Sequence, residues 1–500
     1  MTKEAFATLR EHLARIETLE SVMGILGWDE ATMMPPRGAE LRGAHRALLS
    51  EVGHGWQTDP RIAEWLEALA PSKDPIERAC VRNLGRTFER ERRVDPKLVG
   101  ELARAKSEGF ATWLEAKPKA DFARFEKPLT RLLELSIRRA EQIDPNRHPY
   151  EVTLEEYDPG TTVGDLRDMF ARLRDGLTPL LHAIAERPTP PEYDRAFDKD
   201  GQYALHREVA TAMGYDFRSG RLDHAEHPFT SGHGEGDVRI TTHIYETDLI
   251  GGLTSTIHEV GHGLYEQGLP RELAGTPLAG TTVAHAASYG LHESQSRFWE
   301  NFVGRSRPFA GWLAGRVAER FGGDVDADVL HRALNRVERG LIRVQADEVT
   351  YNLHIIVRFE IELALFEGKL KVSELPEAWN ARYAEMLGLR PENDAVGVLQ
   401  DVHWSGGAFG YFPSYTLGNL YAASLANAML EAHPNVMDEV AEGRFETILS
   451  FLRDRVHRHG HLLEAPEIIR AAVGERDHVE DLLSYLWDRV GTLYGVTRGT

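Results

Sequence analysis

The stretch LTSTIHEVGHGLYE, residues 253–266, contains the pattern His-Glu-x-x-His within a run that can form a helix. Residues four apart lie on one face of a helix, so His258 and His262 can direct their imidazoles at one metal ion. Glu259 projects from nearly the same side, where its carboxylate can reach a water molecule on that ion. The pattern predicts part of a hydrolytic zinc site; the alternative is a helix with two surface histidines and a solvated glutamate.

A catalytic zinc site also needs a third protein ligand and an open position for water. In one class of these sites the third ligand is a histidine six residues after the second, but Gly268 stands at that position, which excludes the class. A ligand farther along the same helix cannot converge on the ion, so the third one has to come from another element. Glu293, at the start of a second predicted helix, is the preferred candidate, and Glu300 and His285 are its rivals.

The composition limits the kinds of partner that the protein can bind and the cellular compartment in which it is expected. The chain has 58 basic and 78 acidic residues, and its net charge of −20 argues against a nucleic-acid or anionic-membrane partner. The single cysteine, Cys80, excludes an intrachain disulfide. The N-terminus lacks the features of a signal peptide, and no apolar run approaches the roughly 20 residues that span a bilayer. We therefore predict a cytoplasmic protein without nucleic-acid or membrane partners.

Apolar residues at three- and four-residue spacing predict helices over most of the chain. Two examples are Phe122–Ile143 and Val163–Glu186, and the segment Val329–Glu367 is apolar on one face and nearly free of helix breakers. Between Arg218 and Leu249 the pattern changes, and the β-branched run Val238–Tyr245 predicts one or two short strands beside the His-Glu-x-x-His helix. The fold class is therefore predicted to be mainly α with a small sheet.

No internal repeat, low-complexity segment or Gly/Ser linker divides the chain. We predict one catalytic domain over residues 1–500. Within it we distinguish an N-terminal helical part of about 1–215, a zinc-site part of about 216–420 and C-terminal helices of about 421–500.

Six runs, one of which contains the His-Glu-x-x-His pattern, occur in a characteristic order. They are HPF (227–229), DVRIT (237–241), HEVGH (258–262), HESQ (292–295), IRVQAD (342–347) and GVLQDVHW (397–404). Two more runs, LGWD (26–29) and GYFPSY (410–415), fit the same order. Over nearly its whole length the chain therefore resembles the carboxypeptidase Taq family of thermostable zinc metallocarboxypeptidases. One run departs from that pattern: GTTVAHA, residues 280–286, is longer than the equivalent loop of the family.

This resemblance implies that His258, His262 and Glu293 hold Zn²⁺, for which Co²⁺ can substitute. It implies that Glu259 assists the attack of a zinc-bound water on the scissile carbonyl. The expected fold is a large helical body of the glutamate-ligand zincin type, with a long substrate groove closed at one end. The expected activity is broad release of C-terminal amino acids from peptides, and the expected assembly is a homodimer.

The remaining site residues lie in the family motifs. His403, Tyr411 and Tyr415 are candidates to stabilise the oxyanion, with His403 and Tyr415 assigned to catalysis and Tyr411 to substrate binding. A free C-terminal carboxylate suits a planar guanidinium, and we favour Arg343 over Arg239 for this role. The alternative for both arginines is a structural ion pair. The partners in these pairs would be Asp347 for Arg343 and Asp237 for Arg239, and Asp237, His227 and Asp401 are expected along the groove.

Two other functions compete with this prediction. An oligoendopeptidase would use the same zinc chemistry in an open groove, and a non-catalytic peptide-binding protein would use the metal structurally. One further cluster, the run HRHGH at residues 457–461, is predicted to be a solvated helix end.

Overall fold

Helices make up 68% of the residues that the structure describes and strands 3%, which confirms the predicted mainly α class with a small sheet. The structure is a computed structural model that describes residues 2–193 and 195–498. Its α-helices are α1 (Thr2–Thr32), α2 (Ala39–Gln57), α3 (Arg61–Leu69), α4 (Pro75–Arg93), α5 (Pro96–Ala116), α6 (Phe122–Ile143), α7 (Pro149–Leu154), α8 (Val163–Ala185), α9 (Lys199–Ala212), α10 (Leu249–Gly268), α11 (Tyr289–Arg297), α12 (Arg307–Phe321), α13 (Ala327–Leu334), α14 (Glu348–Phe366), α15 (Leu375–Leu387), α16 (Pro413–Ala432), α17 (Val436–Ala441), α18 (Glu446–Arg455), α19 (Ala465–Val473), α20 (His478–Leu486) and α21 (Thr492–Tyr494).

The chain contributes alternately to two compact units. Unit 1 comprises Met1–Glu89, Pro191–Leu334 and Tyr421–Arg476. Unit 2 comprises Arg90–Pro190, Asn335–Leu420 and Asp477–Thr500. That residues 1–500 form one catalytic domain stays a prediction.

Unit 1 contains a three-stranded sheet of β1 (Gly220–His224), β2 (Thr230–Gly232) and β3 (Val238–Thr242). The central strand β3 runs parallel to β1 and antiparallel to β2. The sequence predicted one or two strands here. It located β3 correctly but gave too few strands, because β1 and β2 are short edge strands without a β-branched run. A hairpin of β4 (Glu272–Leu273) and β5 (Thr276–Pro277) follows α10.

Helix α10 packs between this sheet and α11. Its apolar side, which includes Leu253, Ile257 and Leu264, is buried. Gly263 permits close approach to the sheet, since a Cβ atom there would lie 3.1 Å from Cγ2 of Ile240 on β3. The apolar periodicity of the sequence therefore places one side of α10 in the core and leaves the other side for polar groups.

In unit 2 the predicted helix Phe122–Ile143 has the same bounds in α6. The segment predicted to be nearly free of breakers, Val329–Glu367, is interrupted after α13 and resumes at α14. Asp347 caps α14 by accepting hydrogen bonds from the backbone N–H groups of Val349 and Thr350, at 2.9 and 3.0 Å. A capping aspartate within an apolar run begins a new helix, which apolar spacing alone does not reveal.

Within residues 2–193 and 195–498, every helix is too short or too polar to cross a membrane.

Candidate metal centre and active site

Three side chains of unit 1 form a candidate metal centre. Helix α10 supplies His258 and His262, and α11 supplies Glu293. Oε2 of Glu293 lies 3.7 Å from Nε2 of His258 and 3.4 Å from Nε2 of His262. Ligand atoms at 2.0–2.2 Å around a tetrahedral ion are about 3.3–3.5 Å apart, so these donors fit a zinc ion. The structure thus brings together the three residues that the sequence singled out as ligands.

Gly261, between the two histidines, allows α11 to approach α10. A Cβ atom at this position would lie 2.6 Å from Cα of Ser296 and 2.7 Å from the carbonyl oxygen of Gln295. Any other residue would overlap with the backbone of α11. The glycine within the His-Glu-x-x-His pattern therefore helps to bring Glu293 within reach of both histidines.

Glu300, the predicted rival to Glu293, supports the site from behind. It lies in a π-helical segment, Phe298–Val303, and its Oε2 is 2.9 Å from Nδ1 of His258. Arg297 and Arg305 donate hydrogen bonds to its two oxygens at 3.2 and 2.8 Å. Because Nδ1 of His258 is engaged by this carboxylate, Nε2 is the nitrogen left for a metal ion.

The second histidine has a different support. Nδ1 of His262 lies 2.6 Å from Nδ1 of His292, and Nε2 of His292 lies 2.8 Å from Oε1 of Glu266. Sequence reasoning used the run HESQ only to locate Glu293 and did not assign His292 a role. The sequence offered one cue to this support: Glu266 follows His262 by one helical turn, so the two side chains lie on the same face of the helix.

Glu259 is buried beside the ligands, with 7% of its surface exposed. Oγ1 of Thr230 on β2 lies 2.7 Å from its Oε2 and 3.0 Å from its backbone oxygen. Burial raises the pKa of the Glu259 carboxyl, and the nearby His258 and the Thr230 hydroxyl oppose that rise. A raised pKa suits a carboxylate that must accept a proton during turnover.

Two of the three ligands have protonation states that suit a cation. In the third, His258, burial lowers the pKa but the carboxylates of Glu293 and Glu300 outweigh it and raise the pKa above its usual value. Burial lowers the pKa of His262 to about 3, so its imidazole is neutral at physiological pH. Burial tends to raise the pKa of Glu293, but Arg297 and His258 hold it well below the usual value, and the carboxylate is ionised. Nε of Arg297 donates a 2.7 Å hydrogen bond to Oε1 of Glu293. The other oxygen, Oε2, faces the two histidines.

His457 corrects one prediction. The run HRHGH was expected to be a solvated helix end, but His457 is 1% exposed and its Nε2 lies 3.0 Å from Oε1 of Gln295 on α11. A Cβ atom at Gly268, the last residue of α10, would lie 2.2 Å from its Nδ1. His457 therefore packs against both ligand helices, a contact between residues 162 apart in sequence that local pattern does not show.

The other predicted residues of unit 1 lie around the sheet and α1. Arg239 is held by Asp237 through two hydrogen bonds of 2.7 Å and lies over the ring of Trp28 on α1, with 4.4 Å between the guanidinium carbon and the ring centre. This arrangement matches the structural alternative for Arg239. His227 is exposed. His285, the third candidate ligand, instead approaches Oε1 of Glu17 on α1 at 3.3 Å.

In unit 2, Arg343 is buried against Asp401. Its Nε and its terminal Nη2 both lie 2.9 Å from Oδ1 of Asp401, and its Nη1 donates to the hydroxyl of Tyr351 at 3.1 Å. The ion-pair partner is thus Asp401 and not the expected Asp347. Sequence reasoning missed Arg358 on α14, whose Nε donates to Oδ2 of Asp401 at 2.7 Å.

The predicted oxyanion donors cluster near that pair. Nε2 of His403 lies 3.2 Å from the hydroxyl of Tyr415, and the rings of Tyr411 and Tyr415 meet edge to face with centres 5.3 Å apart. Arg343 lies over the Tyr415 ring at 4.8 Å. Burial lowers the pKa of His403 to about 4, so the imidazole is neutral at physiological pH. Unit 2 therefore gathers five of the predicted residues, Asp401 among them, into one polar and aromatic cluster.

Known proteins resemble the chain over nearly its whole length. Thermostable carboxypeptidase 1 of Thermus thermophilus is 42% identical over 99% of this chain and 100% of its own length. Carboxypeptidase 1 of Bacillus subtilis is 37% identical, with 96% and 97% covered. The crystal structure of an M32 carboxypeptidase from Deinococcus radiodurans R1 matches with a TM-score of 0.94 at 37% identity, covering 99% of this chain and 100% of that one.

The family model described as carboxypeptidase Taq (M32) metallopeptidase matches residues 8–490. This match confirms the resemblance drawn from the ordered motifs, and the shared carboxypeptidase names extend it to activity. The chain therefore belongs to the carboxypeptidase Taq (M32) metallopeptidase family and is a metallocarboxypeptidase.

Proposed function

We propose that the protein is a zinc carboxypeptidase that releases C-terminal amino acids from peptides with broad specificity, using His258, His262 and Glu293 as ligands and Glu259 as general base. The observation that carries this proposal is the convergence of two imidazole nitrogens and one carboxylate oxygen at tetrahedral spacing. Both imidazoles have Nδ1 engaged by neighbouring side chains, which leaves Nε2 for the ion. Zinc supplies Lewis acidity at such a site and can be replaced by Co²⁺.

Glu259 would take the proton from the attacking water and then deliver it to the leaving amine. Three features support this role: its position between the ligand histidines in sequence, its burial, and its hydrogen bond from Thr230. Because the Thr230 hydroxyl occupies Oε2, it leaves Oε1 of Glu259 for the proton transfer.

The substitution Glu259→Gln tests the proposal. It keeps the size of the side chain and removes the basic oxygen, so we expect kcat to fall about 10²–10⁴-fold while one bound metal ion per chain is retained. Metal analysis and steady-state kinetics on one preparation measure both quantities. The exposed Glu226 provides the matched control, since Glu226→Gln should change neither. Near-normal turnover in Glu259→Gln would exclude Glu259 as the general base.

Recognition of the C-terminus is the second part of the proposal, and we assign it to Arg343. We expect a peptide with a free C-terminal carboxylate to be cleaved about 10–100-fold faster in kcat/KM than its C-terminal amide, because a hydrogen bond to a charged group contributes about 1.5–3 kcal/mol. Arg343→Lys keeps the charge but loses the planar fork, and it should reduce this preference. Equal rates on acid and amide would instead support an oligoendopeptidase, and a changed stability with unchanged preference would limit Arg343 to its pair with Asp401.

A homodimer and a cytoplasmic location complete the proposal. Both come from the sequence and the family resemblance. Light scattering on the purified protein measures the assembly, and a monomer would contradict it.

A further inference from the structure

We propose that Glu266 and His292 form a relay that orients the metal ligand His262 and so sets the affinity of the centre for its ion. The inference rests on the proposed metal site and concerns two residues to which no role has been given. Both are positioning residues, since they act through His262.

Hydrogen-bond logic fixes one proton arrangement along the relay. Nε2 of His262 lies 3.4 Å from Oε2 of Glu293, on the side of the candidate centre, and it must offer a lone pair to bind a cation. The proton of the neutral His262 imidazole is then on Nδ1, which donates to Nδ1 of His292 over 2.6 Å.

His292 can accept at Nδ1 only if its own proton is on Nε2. That Nε2–H group points at Oε1 of Glu266, 2.8 Å away. The carboxylate at the end of the relay therefore selects the tautomer of His292, and His292 selects the tautomer of His262. The tautomer selected is the one that leaves Nε2 of His262 available to a metal ion.

The backbone holds both relay residues in place. Glu266 follows His262 by one turn of α10, and His292 directly precedes Glu293 on α11. The His292 ring also packs edge to face on Tyr265, with centres 5.2 Å apart. Each ligand helix thus carries one relay residue close to one of its ligands.

Strand β2 leaves room for the end of the relay. A Cβ atom at Gly232 would lie 2.8 Å from Oε2 of Glu266, so a larger residue there would press on the carboxylate. Thr230, two residues earlier on the strand, contacts Glu259. A single short strand therefore borders both the relay and the general base.

The relay differs from the support of the other histidine. His258 meets the Glu300 carboxylate directly, and two arginines neutralise that carboxylate. In the relay a second imidazole stands between ligand and carboxylate. The geometry therefore predicts that loss of His292, which contacts the ligand, affects the metal more than loss of the charge on Glu266.

Metal affinity is the direct test, and the protein is studied as the full chain. Each variant is stripped of metal and titrated with Zn²⁺ against a competing chelator. We expect Glu266→Gln, which still accepts a hydrogen bond, to raise the dissociation constant about 10-fold. His292→Phe, which keeps a ring but removes both nitrogens, should raise it about 100-fold. The control Glu226→Gln should leave it unchanged.

Two further readouts separate positioning from a merely structural role. The visible spectrum of the Co²⁺-loaded protein should differ between His292→Phe and wild type, because a reoriented imidazole changes the ligand field. The double variant should bind Zn²⁺ no more weakly than His292→Phe alone, since the two residues act in series. The thermal midpoint of the metal-free protein should change little.

Wild-type affinity and an unchanged Co²⁺ spectrum in both variants would overturn the relay. Additive losses in the double variant would also overturn it. If Glu293→Gln leaves zinc binding unchanged, the proposed metal site itself is wrong. If only Glu293→Gln weakens zinc binding, the site stands and the relay alone fails.

Discussion

Gly261 shows that a single residue can determine how closely two helices pack. Alanine is favoured over glycine within a helix by about 1 kcal/mol, so on helix propensity alone Gly261→Ala should stabilise α10. The approach of Ser296 and Gln295 within 2.7 Å of the missing Cβ predicts the opposite, because backbone atoms cannot move aside as a flexible side chain can.

We therefore expect Gly261→Ala to lower the free energy of unfolding by about 1–3 kcal/mol and to weaken zinc binding, since Glu293 is displaced from the histidines. Urea denaturation and chelator competition measure these effects. Gly43, also within a helix, has no atom near its missing Cβ, so Gly43→Ala should be neutral or stabilising. If Gly261→Ala behaves as Gly43→Ala does, α10 and α11 are not in such tight contact.

Side chains that act through local spacing could be predicted from the sequence, and those that act across it could not. His258, Glu259 and His262 follow from a four-residue period, and Glu293 follows from its place at the start of the next predicted helix. Thr230 contacts Glu259 from 29 residues away, and His292 contacts His262 from 30 residues away. No local periodicity in the sequence connects such pairs, so their roles become visible only in the folded structure.

At the scale of elements, α14 is joined to the segments before and after it by one carboxylate. Asp401 accepts hydrogen bonds from Arg343 and from Arg358, and both arginines are almost completely buried. The two arginines hold the pKa of Asp401 well below its usual value, so it remains ionised. Removing its charge would leave two buried cations without their shared partner.

We expect Asp401→Asn to lower the free energy of unfolding by about 3–5 kcal/mol, as measured by urea denaturation at neutral pH. Glu385 offers a control in the same unit, because its pair with Arg382 is exposed to solvent. Glu385→Gln should cost less than about 1 kcal/mol. Equal, small effects of the two substitutions would show that Asp401 does not hold these elements together.

The elements themselves were predicted with uneven success. α6 and β3 follow from the period of their apolar residues, and α10 from its metal-binding pattern. The interruption between α13 and α14 was missed because the cap of Asp347 outweighs the apolar pattern. The number of strands was underestimated because β1 and β2 are strands only through their pairing with β3. Pairing depends on two segments together, so the sequence of one segment does not reveal it.

At the scale of the whole molecule, buried neutral histidines predict how stability changes with pH. Burial lowers the pKa of His206 and of His457 to about 3 and that of His403 to about 4. In the unfolded chain each titrates near 6.5. Below that pH the unfolded state binds protons that the folded state excludes, so the free energy of unfolding falls as the pH falls from about 6.5 towards 3–4.

Each of these histidines should contribute a loss of about 1 kcal/mol between pH 7 and pH 5.5. Urea denaturation across this range measures the slope, with metal absent so that loss of zinc does not add to it. His206→Gln should remove the contribution of one histidine, about 1 kcal/mol over this range. An unchanged slope in this variant would mean that His206 is protonated in the folded protein.

The mainly α class was predictable for the whole molecule because helical periodicity recurs along the chain. Its division into units was not. Each unit is assembled from three segments that are far apart in the sequence. Local patterns describe one segment at a time, so they do not show which segments share a core.

The burial of His457 against both ligand helices has a consequence during synthesis. A ribosome completes all three predicted ligands once it has passed residue 293, but Gln295 and Gly268 acquire their contact with His457 only 164 codons later. At 5–20 residues per second that interval is about 10–30 s. The nascent chain thus displays all three proposed metal donors well before their packing is complete, and capture of a metal ion can precede folding of unit 1.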